Sequence, residues 1–339
     1  MSRIDVIKPG ALSLLQDRGR HGYQHLGVVV GGAMDEWSHR CANALLGNDE
    51  DEATLEITLM GPSLLFHEAQ AIALCGANLS ARIGEADLPM NRAVWVRAGA
   101  RLDFGKRIEG MRSYLAVRGG FAVPSVMDSR STYVRGAFGG LQGRALKKGD
   151  VLEVGGVPPL SAPSVAASLA RLGDGDFIEI HEPEVHAPAI APQTADAAPV
   201  RVIAGQQWAL FTAQAQEAFM QAEFRVSPQS DRMGFRLEGP VLERRHAMEM
   251  ISEGVAFGTV QVPPDGQPIV LMADRQTTGG YPKIACVASV DLPLVAQLAP
   301  QQALRFEPIS LEAAQALYLG RERALARLRS LVRAAGEAP

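Results

Sequence analysis

The apolar positions of this chain fall in short runs that glycine, proline and polar clusters break repeatedly. Val6-Ile7 and Leu12 to Leu15 give way to Gln16-Asp17-Arg18-Gly19-Arg20-His21-Gly22-Tyr23 and then to Gly27 to Gly32. That glycine spacing excludes a long helix and fits strands joined by tight turns. The first helical signal runs from Met34 to Leu46, where Trp37, Cys41 and Leu45 recur every four residues and Gly47-Asn48 supplies the stop. From Ala53 to Phe66, and again from Ala71 to Leu79, the pattern returns to β, with Gly61-Pro62 as a turn. Val94 to Val96, Leu102 to Phe104 and Ser113 to Val117 are further short strands.

A second series begins with Arg201 to Ala204. Trp208, Phe211, Ala215 and Phe219 then form an apolar stripe on a short helix, a pattern that reads as core. The polar turn from Ser227 to Gly234 leads into another strand, Ile269 to Ala273 reads as a buried strand, and residues 295–306 read as the end of the β region. Ser310 caps a terminal helix whose Leu317, Leu325, Leu328 and Val332 suit docking on a core. Residues 157–200, rich in Pro, Ala and Ser, have the composition of a domain boundary. The expected organisation is a β domain over 1–156, a linker over 157–200, a second β domain over 201–310, and a helix with its tail over 311–339. Many short strands at this spacing argue barrels or sandwiches over a doubly wound sheet. Gly61-Pro62 and Gly239-Pro240, each just after a strand, hint at a duplicated unit.

Two stretches carry candidate chemistry. The run ending at Ala273 breaks into Asp274-Arg275-Gln276-Thr277-Thr278-Gly279-Gly280-Tyr281. Such a sequence delivers polar side chains to a rim where backbone can approach a ligand closely. Equally, it is a hairpin end whose Asp274 and threonines satisfy local amides. Its counterpart follows Ser113 to Val117: Arg118-Gly119-Gly120, then Asp128-Ser129-Arg130-Ser131-Thr132, then the glycine-rich Arg135 to Arg144. Arg130, Arg135, Arg144, Lys147 and Lys148 stand there against Asp128 and Asp150, a local +3. That composition suits an anion-binding concavity or a solvated basic loop. It is no P-loop, because Gly143 is followed by Arg144-Ala145 without Lys-Ser/Thr.

Bulk composition narrows the classes. At 339 residues, 47% hydrophobic and 21% charged, the chain reads as a two-domain globular protein. A net charge of −4 argues against nucleic acid as the main partner. There is no run of 18 apolar residues and no apolar segment after the N-terminus, so neither a membrane span nor a signal peptide is expected. Cys41, Cys75 and Cys286 are far apart without a CxxC, which suits a cytoplasmic location and gives no zinc site. His181-Glu182-Pro183-Glu184-Val185-His186 mimics a metal cluster, but Pro183 prevents the helical spacing such sites need, so no metal is expected.

The ordered motifs resemble one family. Gln16-Asp17-x-Gly19-Arg20-x-Gly22-Tyr23, Met34-Asp35, Ala42-Asn43, Gly76-Ala77, Ser129 to Thr132, Asp231-Arg232-Met233-Gly234, Ser252-Glu253-Gly254, Gln261-Val262-Pro263 and Thr277 to Tyr281 are similar, in order, to the carboxyltransferase subdomain A/B family. The resemblance covers about residues 3 to 310 and implies two tandem cyclophilin-like β-barrel domains. It implies two partners, a Kip-inhibitor-like B-type subunit and a lactam-utilisation-like A-type one, with a small-molecule substrate. Within the family, a free-standing chain with no Met-Lys-Met biotinylation motif fits the C-type subunit of an ATP-dependent 5-oxoprolinase, which opens 5-oxo-L-proline to L-glutamate. ATP would then be bound elsewhere in the complex. The alternatives are a urea- or allophanate-type carboxyltransferase component using carboxybiotin, and a non-catalytic antagonist of a Kip-type kinase inhibitor.

Lactam opening needs neutralisation of the substrate carboxylate and phosphate, oxyanion stabilisation and a base. Arg130 and Arg232 are the expected anion contacts, with Arg118, Ser129, Ser131, Thr132, Thr277 and Tyr281 beside them. Gly279 and Gly280 would present backbone amides. Asp274 and Glu253 are the candidate bases, and Thr278 would orient substrate or water.

Overall fold

Side-chain alternation along a few central strands decides the architecture. The computed structural model describes residues 2–156, 175, 177–180, 185–188, 199–246 and 250–337, grouped in two compact units. The first unit comprises residues 1–19, 35–190 and 322–339; the second comprises 20–34 and 191–321.

The first unit begins with β1 (Arg3–Lys8) and β2 (Leu12–Gln16), followed by α1 (Glu36–Leu45). Then come β3 (Thr54–Thr58), β4 (Ser63–Phe66), β5 (Gln70–Asn78), β6 (Ala81–Ile83) and β7 (Ala86–Asp87). It is completed by β8 (Ala93–Val96), β9 (Arg101–Phe104), β10 (Glu109–Val117), β11 (Val151–Glu153) and β12 (Phe177–Glu179). The strands form two six-stranded sheets, ordered β11-β1-β4-β9-β6-β7 and β12-β8-β5-β10-β3-β2. Along β5, Ile72 and Leu74 enter the core enclosed by both sheets, with Phe66, Leu102 and Leu115. The intervening Ala71, Ala73 and Cys75 face the other way, under Trp37, Cys41 and Leu45 of α1. Small residues on that face let the helix lie close, and a strand covered on both sides is apolar at every position.

Asp35 starts α1 by accepting from Ser38 N (2.9 Å) and Ser38 Oγ (2.6 Å). The buried Tyr114 hydroxyl accepts from Asp35 N and donates to Glu56, both at 2.8 Å, which fixes that cap to the sheet.

The second unit contains β13 (Pro199–Ala204), α2 (Ala213–Gln221), β14 (Phe224–Val226), β15 (Gly234–Glu238), β16 (Glu253–Gly254) and β17 (Thr259–Gln261). It continues with β18 (Ile269–Leu271), β19 (Thr278–Gly279), β20 (Lys283–Val287), α3 (Leu292–Ala296), β21 (Ala303–Pro308) and the start of α4 (Leu311–Glu337). Seven of these strands close a barrel in the order β13-β20-β17-β18-β15-β14-β21, and β16 with β19 makes a separate two-stranded ribbon. The barrel core is aromatic: Phe219 stacks on Phe306 at 4.4 Å, with Phe224 beside both. The mainly β expectation therefore holds, with few helices and a terminal one.

Four particulars differ from the sequence reading. Residues 20–34 group with the second unit, where Met34 enters the barrel core, so the units are not contiguous halves. Residues 292–296 are helical ahead of β21, because Pro293 at the first turn and apolar Leu292, Val295 and Ala296 seat a helical turn on the barrel. In α4, Leu325, Leu328 and Val332 dock beside α1 in the first unit, whereas Leu317 is exposed. Residues 157–174 lie outside the described residues, while Phe177 to Glu179, inside the expected linker, pair with β8. Gly61 and Gly239 share a packing device: each lies against a phenylalanine ring, Phe104 and Phe224, where a Cβ would clash. Among the described residues no helix is long and apolar enough to cross a membrane.

Candidate functional site

The Ser129-Arg130-Ser131-Thr132 stretch does hold an anion, but that anion is the protein's own Asp17. Ser129 Oγ donates to Asp17 Oδ1 at 2.8 Å, Ser131 Oγ to Oδ1 at 2.5 Å, and Arg130 N to Oδ2 at 2.5 Å. Gly19 N adds a fourth donor at 2.8 Å, and Thr132 Oγ1 donates to Leu15 O at 2.9 Å. Ser129, Ser131 and Thr132 are at most 1% exposed. A buried carboxylate needs this many donors, and the ring of hydroxyls and amides supplies them. In this arrangement Ser129, Ser131 and Thr132 lock the loop to the end of β2. The Arg130 guanidinium stands 3.7 Å from Glu52, whose carboxyl burial pushes up against the pull of Arg130.

Arg118, at the end of β10, gives Nη1 to Leu46 O at 3.1 Å, at the C-terminus of α1, where a cation is favourable. Burial lowers its pKa, and its buried Nε has no partner. The glycine-rich segment 137–143 lines a cavity of 560 Å³ with Leu15, Phe121, Val126 and Leu152. Of the basic residues read from the sequence, Arg144 is forked onto Asp150 at 2.7 and 2.9 Å.

In the second unit, Arg232 and Asp274 form a bidentate pair: Nε to Oδ2 at 3.0 Å and Nη2 to Oδ1 at 2.9 Å. Arg232 Nη2 also donates to Gly32 O at 2.6 Å, and both side chains are 9% exposed. Both carboxylate oxygens of Asp274 are thus occupied. A fork of this kind neutralises each charge and fixes the segment around Gly32. Asp274 and Arg232, expected as base and anion contact, are thus paired with each other.

The β16–β19 ribbon is different. Glu253 pairs with Gly279, and Gly254 with Thr278. Glu253 Oε2 meets Lys283 Nζ at 2.5 Å; the Glu253 side chain is 49% exposed and that of Lys283 11%. The second oxygen of Glu253 has no protein donor among the described residues, nor do the hydroxyls of Thr277 and Thr278 have a partner there. A Cβ at Gly279 would press on the side-chain amide of Gln261, 1% exposed on β17, which would have to shift. Tyr281 is 45% exposed beside the ribbon, and Gly280 packs near Ser252. The ribbon thus brings together Glu253, Thr277, Thr278, Gly279, Gly280 and Tyr281. Lys283 and Gln261 were not among the site residues expected from the sequence, although Gln261 lies in a family motif; they stand at the ends of β20 and β17, and only the strand register brings them to the ribbon.

Arg275 opens the same stretch. Its Nε reaches Val255 O at 3.3 Å, its Nη1 reaches Met272 O at 3.4 Å, and the guanidinium lies 5.5 Å from the Phe257 ring centroid. Burial pulls its pKa down to about 10. Among the described residues no group of three or more His, Cys, Asp or Glu is placed to hold a metal; residues 181–184 of the His181–His186 cluster lie outside them.

Residues 26–308 match the family described as carboxyltransferase domain, subdomain A and B. The chain is 38% identical to the C-type subunit of the Escherichia coli 5-oxoprolinase over 317 residues, 92% of this chain and 93% of that protein. The subunit of the same name from Haemophilus influenzae is 34% identical over 97% of this chain and 98% of its own length. Among solved structures, the Kluyveromyces lactis urea carboxylase superposes with a TM-score of 0.84 at 31% identity, covering 96% of this chain but 29% of that one.

Proposed function

We propose, from the premise that the chain belongs to the carboxyltransferase domain family, subdomain A and B, that it is the C-type subunit of a 5-oxoprolinase. The observation that carries the reading is the end-to-end match: 93% and 98% of two proteins of that name are covered. The reaction is opening of the 5-oxoproline lactam to glutamate in a complex with subunits of the A and B types. ATP is the co-substrate, and we assign it to another subunit. The glycine-rich stretch over 137–143 does not suit a triphosphate: it lines a largely apolar cavity, and Arg144 is already neutralised by Asp150.

This chain's contribution is built on the ribbon. The open oxygen of Glu253 accepts a proton from the attacking water, and the adjacent Lys283 ammonium gives a proton to the leaving nitrogen, after which the proton on Glu253 passes back to Lys283. Thr277 and Thr278 orient water and substrate through hydroxyls that no other described side chain claims. The Gly279 and Gly280 backbone lets substrate approach without a Cβ in the way.

A second reading, carboxyl transfer from carboxybiotin, is favoured by the 0.84 TM-score to the urea carboxylase, yet this chain spans only 29% of that protein. Under it, Glu253 would deprotonate the acceptor nitrogen. The test is Glu253→Gln in the complex reconstituted with its A-type and B-type partners. We expect kcat to fall by about 10²–10⁴-fold while assembly on a sizing column is unchanged. Wild-type turnover in that variant removes Glu253 as base.

A further inference from the structure

We propose that Arg275 is an anion subsite that takes the carboxylate of the substrate; this rests on the ribbon reading above. Two other arginines of the barrel unit have carboxylates of their own. Arg232 is forked onto Asp274, and Arg201 meets Asp291 at 2.5 and 2.8 Å. Arg275 has none among the described residues: its contacts are two long bonds to backbone carbonyls and the Phe257 ring. A guanidinium withdrawn from water without a counter-ion is costly, and Arg carries five donors in a rigid fork, so two carbonyls leave most of them unspent. A carboxylate supplies both the missing charge and a matching two-oxygen geometry.

The location ties this charge to the ribbon. Val255, whose carbonyl holds Arg275, follows Glu253-Gly254 of β16 directly, and its own N–H donates to Thr277 O at 3.2 Å. Arg275 therefore sits at the root of the two strands that carry Glu253 and Thr278. 5-Oxoproline has one ionised group, its carboxylate, and the reacting lactam lies on the same small ring. An anchored carboxylate at the root would set the lactam against the strand ends. Mechanistically, Arg275 positions substrate and takes no part in proton transfer.

The experiment compares 5-oxoproline with its neutral carboxamide, 5-oxoprolinamide, in the reconstituted complex, for wild type, Arg275→Gln and Arg275→Lys. Binding by calorimetry is measured beside turnover. Wild type should prefer the acid, and Arg275→Gln should lose about 10–100-fold of that preference through KM, as expected for a hydrogen bond to a charged group. Arg275→Lys, which keeps the charge and loses the fork, should retain part of it. The acid-to-amide ratio is insensitive to a partly unfolded sample. An unchanged ratio in both variants overturns the subsite, as does a wild type that binds acid and amide equally. If wild type binds 5-oxoproline through Arg275 but the complex never opens the ring, the subsite stands and the 5-oxoprolinase reading falls.

Discussion

At Asp274 both carboxylate oxygens are held by Arg232, whereas Glu253 offers one oxygen to Lys283 and keeps the other open. Two acidic residues next to similar glycine and hydroxyl residues thus have opposite fates. Asp274→Asn should remove one partner of a buried pair and leave the Arg232 charge stranded, destabilising the unit by about 3–5 kcal/mol. Urea unfolding of this chain should show it directly, with a lower midpoint and no change specific to substrate. An Asp274→Asn protein as stable as wild type, yet inactive in the complex, would restore Asp274 to the chemistry. The sequence displayed both carboxylates and both Gly-rich rims, because polar residues at the end of an apolar run are visible locally. Which carboxylate was free was not visible, because Arg232 and Lys283 lie 42 and 30 residues away and reach their partners only through barrel register.

At the level of elements, α1 shows how far a pattern reads and where it stops. Its four-residue spacing and its Gly47 stop were legible, and the helix spans Glu36–Leu45. Its polar anchors were not. His39 is 0% exposed, with Nδ1 2.8 Å from Thr54 Oγ1 and Nε2 3.0 Å from Glu50 O. The carbonyl of Glu50 can only accept, so Nε2 carries the proton and Nδ1 accepts from the threonine. Burial lowers the His39 pKa, so the folded state binds fewer protons than the unfolded chain in the range below about pH 6.5. This contribution to stability is present above that pH and is lost as pH falls. Melting temperature should therefore drop between pH 7.5 and 5.5, and a His39→Gln protein should melt with a flatter profile. Equal slopes for both would exclude the imidazole as the cause. Carboxylates separate from this window: Glu50, desolvated but held by Arg40, Arg329 and Arg18, and Glu322, held by Arg40, both have lowered pKa values and protonate only at more acid pH. The Asp17 cage is the same lesson in another element. Hydroxyls beside a basic residue looked like a substrate cradle, and the ligand proved to be a carboxylate 112 residues away in the chain.

On the scale of the whole molecule, the chain repeats one scheme. Short strands enclose a core, a glycine lies against a phenylalanine ring after a strand, and a half-buried arginine precedes a polar glycine pair: Arg118 before Gly119-Gly120 and Arg275 before Thr277 to Gly280. The β character followed from the length of apolar runs and the density of turns. The exchange of residues 20–34 into the barrel unit did not, since Gly27 to Gly32 has the same local character whichever core receives it. In the first unit the hydroxyls of Ser129 and Ser131 bind Asp17, while in the second the ribbon leaves Glu253, Thr277 and Thr278 open.

The most direct test is 5-oxoproline-dependent ATP hydrolysis, measured with this chain alone, with each candidate partner in turn, and with both together. For the C-type component of a 5-oxoprolinase, this chain alone should show no stimulated hydrolysis. Once it is combined with the A-type and B-type partners, glutamate should be released in step with ADP. Combined proteins that bind one another tightly but hydrolyse ATP no faster with 5-oxoproline than without it would contradict the 5-oxoprolinase assignment and favour a purely regulatory role.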